Sequence, residues 1–221
     1  KVTYWVFGGG QGYSYTGTVN LTISDGDLNG SYVTAGGSNG YTESANVKLT
    51  GGKIGVYQTV NRGTLNNATI KVAGSSIDKF YVGGETEDKS VTGVINNINT
   101  HLISGNIENL DSGTSNGTPL TIDDENYKVT ATNSIKITND NLGSSKSAID
   151  YDFSVPTKNI KLFVNQNMKI EAIVTTNPAG YEEVFNDLFS YSVDDESIAV
   201  VSEDGIITGV SKGTTSVTIK N

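Results

Sequence analysis

Apolar and polar positions alternate along most of this chain, and the alternation itself recurs. Val19-Asn20-Leu21-Thr22-Ile23, Asn46-Val47-Lys48-Leu49 and Thr69-Ile70-Lys71-Val72 each place apolar side chains on every second residue. Each is followed five residues later by one more aliphatic: Leu28, Ile54 and Ile77. A second strand type runs into glycines, as Trp5-Val6-Phe7-Gly8-Gly9-Gly10, Tyr32-Val33-Thr34-Ala35-Gly36-Gly37 and Phe80-Tyr81-Val82-Gly83-Gly84. Ile54-Gly55-Val56-Tyr57 stands about where another copy belongs, without its double glycine, and a weaker copy runs from Val94-Ile95 through Leu102-Ile103 to Ile107. A two-residue period marks strands with one buried face, and no segment here keeps a helical period.

The repeat returns roughly every 23 to 28 residues, a length that holds three short strands and three turns. That predicts a parallel β-solenoid, with Leu21, Val47 and Ile70 directly above one another inside the stack. The glycine pairs then fall at corners, where a side chain obstructs the turn. An antiparallel sandwich with coincidental spacing is the alternative. A terminal coil exposes its apolar stack and its strand edge. The chain begins inside a repeat at Lys1-Val2-Thr3-Tyr4-Trp5, so either further coils precede it or Val2–Trp5 folds over the end; the first is expected. Opening at Lys1 rather than Met, it reads as an excised or processed piece.

Residues 108–120 are rich in Ser, Gly, Asn and Asp and read as a loop ending the repeats. Two strands, Tyr127–Ala131 and Ile135–Thr138, are expected to cap them, and a polar stretch from Asn139 to Ser147 follows. The predicted organisation is residues 1–117 as solenoid, 118–152 as capping strands and linker, and 153–221 as a β-sandwich. The last block rests on short strands separated by turns: Ile160–Val164, Met168–Val174, Phe189–Val193, Ile198–Val201, Ile206–Val210 and Thr215–Ile219.

Within that block, Ser190-Tyr191-Ser192-Val193-Asp194-Asp195-Glu196-Ser197-Ile198-Ala199-Val200-Val201 continues into Asp204-Gly205-Ile206-Ile207-Thr208-Gly209-Val210-Ser211-Lys212-Gly213-Thr214. The order of strand, acidic turn, "Ile-Ala-Val-Val", "Asp-Gly" hairpin, "Thr-Gly-Val" and "Lys-Gly-Thr" resembles the bacterial immunoglobulin-like family, group 2, over Val155 to Lys220. Asp204-Gly205 is a tight-hairpin signal, and Gly209 and Gly213 are read as turn positions closed to other residues. The family often has Trp where this chain has Tyr191, which is expected to fill the same core slot. Residues 181–188 look like an insertion of one or two helical turns. The resemblance implies an extracellular setting at the bacterial cell surface or wall, in an adhesive or spacer role, and carries no catalytic motif to transfer.

Composition sharpens this picture. Glycine numbers 26 and proline 3 of 221 residues, and Thr, Ser and Asn replace much of the usual charge, as suits strands and turns. The formal net charge is −9, which disfavours nucleic acid and anionic membrane as partners. Without cysteine there are no disulfides, thiolate metal sites or thiol nucleophiles. No apolar run approaches the ~18 residues that span a bilayer.

Catalysis needs a proton donor and acceptor, a nucleophile or a metal. The chain has one histidine, His101, and one arginine, Arg62. Asp25, Asp27, Asp78, Glu85, Glu87 and Asp88, with Lys53 near Asp78, are the carboxylates that a polysaccharide-degrading β-helix enzyme would have to group. The runs Asp123-Asp124-Glu125 and Asp194-Asp195-Glu196 lack the spaced loop of a dedicated calcium site. No enzyme activity, cofactor or metal is expected. Trp5, Tyr32, Tyr57 and Tyr81 fall about one repeat apart and suggest a ladder, inward as packing or outward as a stacking surface. Tyr13, Tyr15 and Tyr41, on polar Gly/Ser turns, are the candidate ligand contacts. The expected function is a non-catalytic segment of a bacterial surface protein, with a host or cell-wall glycan or a surface protein as partner. The alternatives are a carbohydrate-binding module using those tyrosines, a β-helix enzyme, or a phage tail protein.

Overall fold

The computed structural model describes residues 5–86, 92–122 and 125–220, and the chain divides into two compact units, Lys1–Ala148 and Ile149–Asn221. In the first unit the strands are β1 (Trp5–Phe7), β2 (Tyr15–Ile23), β3 (Asp27–Thr34), β4 (Tyr41–Leu49) and β5 (Lys53–Gln58), then the long β6 (Thr64–Tyr81) and β7 (Val94–Asp111). A small antiparallel pair, β8 (Thr114–Ser115) and β9 (Thr118–Pro119), precedes β10 (Tyr127–Ala131), β11 (Ile135–Asp140) and β12 (Ser147–Ala148).

Among the described residues, the named strands of successive coils pair in parallel, and only isolated bridges at the corners, Gln11 with Asn39 and Gly84 with Thr114, are antiparallel. One side stacks β2, β4, the first half of β6, the first half of β7, β10 and β12; the other stacks β1, β3, β5, the second halves of β6 and β7, and β11. The result is a parallel β-solenoid of about five turns. The expected columns form: Leu21 pairs with Val47 and Val47 with Ile70, while Leu28 leads to Ile54, Ile77 and Ile107. Ile54, Ile70, Ile77 and Ile107 are at most 1% exposed, and full burial of one such side chain is worth about 1.5–3 kcal/mol.

Three features differ from the expectation. The strands read as a cap, β10 and β11, lie in parallel register on β7 and extend the solenoid, because their apolar residues continue its inner columns (Val129 on Thr100, Ile137 on Ile107). The compact unit therefore runs to Ala148 rather than ending at residue 117. The loop predicted over 108–120 is shorter, since β7 continues to Asp111. The alternative in which Val2–Trp5 folds over the end rests on residues 1–4, which lie outside the described residues.

The glycine pairs do mark corners, through contact rather than left-handed backbone. A Cβ on Gly37 would stand 2.2 Å from the Gly10 carbonyl oxygen, and one on Gly83 2.5 Å from that of Thr114. Successive coils thus touch backbone to backbone where the glycines sit.

The second unit contains β13 (Asp150–Ser154), β14 (Asn167–Lys169), β15 (Ile173–Asn177), α1 (Glu182–Phe185), β16 (Ser190–Val193), β17 (Ala199–Val201), β18 (Ile206–Gly209) and β19 (Val217–Lys220). Its pairs are all antiparallel: β13 with β15, β14 with β18, β18 with β17, and β16 with β19. Ile170, Ala199 and Ile207 form the buried centre, packed by Val155, Ile160, Leu162, Val193, Val201, Val217 and Ile219. The strand expected over Met168–Val174 is two strands that join different partners, β14 on β18 and β15 on β13, as a sandwich corner requires. Ile160–Val164 packs without strand pairing and leads into a turn at Asn165, φ 65°. The insertion forms the short helix α1 and adds Phe185, fully buried and stacked on Tyr151 at 4.1 Å.

Candidate functional site

The outward residues of the first solenoid side form columns as regular as the inward ones. Tyr15 stands in register with Tyr41, Thr18 with Ser44, Asn20 with Asn46, and Thr22 with Lys48. The next coils continue these columns as Thr64, Asn67, Thr69 and Lys71, then Val94, Asn97, Asn99 and His101. Of the three candidate tyrosines, the structure brings Tyr15 and Tyr41 together. Their rings stack at 5.5 Å with 12° between planes, Tyr15 at 71% exposure and Tyr41 half-buried. Tyr13 stands apart from this stack in the described contacts and is fully exposed.

Beside the tyrosines runs a polar ladder. The Tyr41 hydroxyl donates to Glu43 Oε2 at 2.8 Å, and Asn66 Nδ2 donates to Glu43 Oε1 at 2.9 Å. Asn96 Nδ2 in turn donates to Asn66 Oδ1 at 3.0 Å. The donors on Glu43, Asn66 first and Tyr41 second, hold its carboxyl below the usual range, while the carboxylate holds the Tyr41 phenol above its own. Parallel ladders join Asn46 to Asn20, Asn97 to Asn67 and Asn139 to Asn109 at 2.9–3.2 Å. The sequence reading missed these carboxamides. Their signal was present: asparagines recur 26 or 30 residues apart, in step with the apolar repeat.

The aromatic ladder does not form as one column. Trp5 pairs with Tyr32 and stacks on it at 4.3 Å, but the next residue in that register is Val56. Tyr57 lies one position on, turned inward above Phe80 with ring centroids 4.7 Å apart, and Tyr81 registers with Gln58. A one-residue difference in a two-residue period sends neighbouring rings to opposite faces.

Among the described residues the carboxylates are not gathered. Asp25 and Asp27 accept from the backbone N–H groups of Gly26 and Asn29 and so hold their own turn. Lys53 registers with Asp27 on one side and Ser76 on the other, which leaves Asp78 two positions along. Glu85 is buried, and its N–H donates to Gln58 Oε1. Glu87, Asp88, Asp123 and Asp124 lie outside the described residues. Asp195 accepts from both the N–H and the hydroxyl of Ser197, a turn-capping role. No group of three or more metal-ligating side chains occurs among the described residues. His101 follows Lys71 in its outward column, and its Nδ1 lies 2.9 Å from Thr130 Oγ1. Burial, aided by the Lys71 charge, pulls its pKa down to about 4.

In the second unit the motif glycines have distinct physical reasons. Gly205 turns the β17–β18 hairpin at φ 77°, and a Cβ there would meet the Tyr191 ring at 2.8 Å. Gly209 and Gly213, expected as turn positions, have no positive φ; they admit the Phe163 carbonyl oxygen and the Ile198 side chain, each 2.7 Å from a would-be Cβ. Tyr191 thus packs against the hairpin from a half-buried place in β16. Residues 152–220 match the family model of the bacterial Ig-like domain (group 2). Such domains occur in bacterial surface proteins. In this Ig-like domain the "Asp-Gly" step is the Tyr191-covered hairpin, and the insertion carries the Phe185–Tyr151 stack. No curated protein and no solved structure matches the chain.

Proposed function

We propose that the chain is a non-catalytic, extracellular segment of a bacterial surface protein, associated with the cell wall, in which the solenoid adheres and the Ig-like domain spaces it. The observation that supports this most is the succession of a solenoid with an ordered outer face and an Ig-like domain of a family found in bacterial surface proteins. The side-chain chemistry favours recognition over catalysis. Asp25, Asp27 and Asp195 are engaged in turns, and His101 keeps its proton only in acid.

The test is an immobilised array of glycans and extracellular-matrix proteins probed with the whole chain, run beside an assay for new reducing ends and unsaturated products on the same polysaccharides. Saturable binding without product supports the reading. Turnover of any polysaccharide overturns its non-catalytic part, and failure to bind anything overturns adhesion and leaves the spacer role. A carbohydrate-binding solenoid is the more specific second reading, favoured by the Tyr15–Tyr41 stack.

A further inference from the structure

One coil before Glu43, the outward column that holds Glu43, Asn66 and Asn96 is occupied by a residue that has no side chain. Thr16 pairs with Thr42 and Thr18 with Ser44, which sets Gly17 level with Glu43. A Cβ built on Gly17 finds nothing within 4 Å, and its backbone is free of positive φ. The glycine is therefore required neither by a turn nor by the close approach of another coil. In a strand interior glycine weakens the sheet, and it often marks a bend, a bulge or a site where a ligand or another backbone comes close. Its position leaves an open notch on the outer face. Tyr15 is two residues along the same strand, and the Glu43 carboxylate belongs to the next coil.

Both walls of the notch are prepared for a ligand. Tyr41 supports one face of Tyr15 at 5.5 Å and leaves the ring 71% exposed, so the aromatic face is already ordered and little conformational entropy remains to be lost on binding. Glu43 is fixed by the Tyr41 hydroxyl and the Asn66 carboxamide. An ionised carboxylate offers about four acceptor positions, and these two bonds leave others for hydroxyl donors. Asn96 holds Asn66 in turn. A flat apolar ring beside fixed acceptors suits a pyranose, whose C–H face stacks on an aromatic while its equatorial hydroxyls donate sideways. The carboxylate rejects anionic sugars by charge. The rise between coils, about 4.8 Å in a sheet, is also close to the length of one sugar in an extended β-linked chain.

We infer that Tyr15, Gly17 and Glu43, supported by Tyr41, Asn66 and Asn96, form a subsite for one pyranose ring of a neutral polysaccharide. The inference deepens the adhesive reading: it names the ligand class and adds Gly17 and the Glu43 ladder to the tyrosines. Gly17→Val separates it from a purely structural account. Valine suits a strand and needs no unusual φ there, so the variant folds with an unchanged or higher melting temperature while its side chain fills the notch.

The experiment measures binding of the whole chain to immobilised cello-, manno- and galacto-oligosaccharides, with uronic-acid and sulfated glycans and matrix proteins as parallel arms. Wild type is expected to bind at least one neutral series, and Gly17→Val and Tyr15→Ala to weaken that binding about tenfold or more, equivalent to about 1.4 kcal/mol. Glu108→Gln, on the other strand side, is expected to bind as wild type does. Unchanged binding by a folded Gly17→Val overturns the inference, as does binding confined to anionic glycans. Binding to matrix proteins alone overturns it while leaving adhesion intact, and binding to nothing overturns both.

Discussion

Gly205 and Gly117 show how one residue type answers to different forces. Their φ angles are nearly equal, 77° and 72°, yet a Cβ on Gly117 meets nothing within 4 Å while one on Gly205 meets the Tyr191 ring at 2.8 Å. Gly117→Ala is expected to cost only the left-handed backbone term, about 1–2 kcal/mol. Gly205→Ala adds displacement of a packed ring, for about 2–4 kcal/mol in all. Urea unfolding of each variant checks this, and equal losses would refute the role given to Tyr191. His101 supplies a pH-dependent counterpart. Its folded pKa of about 4 lies below the ordinary ~6.5, so the unfolded chain binds the extra proton first. The contribution is complete above the unfolded value and is lost as pH falls from about 6.5 towards 4, on the order of 3 kcal/mol. Asp140, Glu43 and other carboxyls held low also lose stability in acid, so the readout is a difference. Between pH 7 and 4.5 the urea midpoint of wild type should fall more than that of His101→Gln.

Elements obey the same rule one level up, since what decides them is the neighbour in the next coil. Gly36 and Gly37 read alike in the sequence. A Cβ on Gly36 would sit at an ordinary 3.7 Å from the Thr59 carbonyl oxygen, whereas one on Gly37 would be driven to 2.2 Å from that of Gly10. Gly36→Ala is expected to change solenoid stability by under about 1 kcal/mol, and Gly37→Ala to lower it by about 2–4 kcal/mol, seen as a lower melting temperature in the second variant alone. This contrast marks the limit of what could be read from the residues. Periodic apolar positions were enough to place Leu21, Val47 and Ile70 in one column, because burial repeats with the strand period, whereas α1 was anticipated as an insertion into the family pattern. The aromatic ladder misled because Tyr57 is one residue out of step with Tyr32, and a two-residue period turns that offset into a change of face. The proposed glycan subsite was legible only in part. Tyr15 and Tyr41 stood out as aromatics among polar residues, whereas Glu43 and Gly17 gain meaning only from register between coils. Asn66→Asp tests that register directly. It replaces the donor to Glu43 Oε1 with a second carboxylate, and Asn96 can still donate to it. The Glu43 pKa should then rise in a carboxyl NMR titration, whereas an unmoved titration would show that the ladder does not hold the acid.

At the scale of the whole molecule, the two units bury separate hydrophobic clusters. One runs up the solenoid from Val19 to Leu142, and the other centres on Ile170, Ala199 and Ile207. Stability in a solenoid is nearly a sum of coil and interface terms, so damage at one corner spreads along the stack of inner columns. Among the described residues, those columns are built from paired solenoid strands. The Ig-like domain is held by its centre of Ile170, Ala199 and Ile207, and also carries the hairpin covered by Tyr191 and the Phe185–Tyr151 stack. Two unfolding transitions are therefore expected in calorimetry of the whole chain. The larger enthalpy belongs to the solenoid, because enthalpy scales with the number of residues ordered. The assignment follows from the glycine variants: Gly37→Ala should move only the larger transition and Gly205→Ala only the smaller. If both variants moved a single transition, folding of the two cores would be coupled. Spacing would then be the wrong description of the Ig-like domain, since a spacer stable on its own can carry the solenoid without sharing its fate.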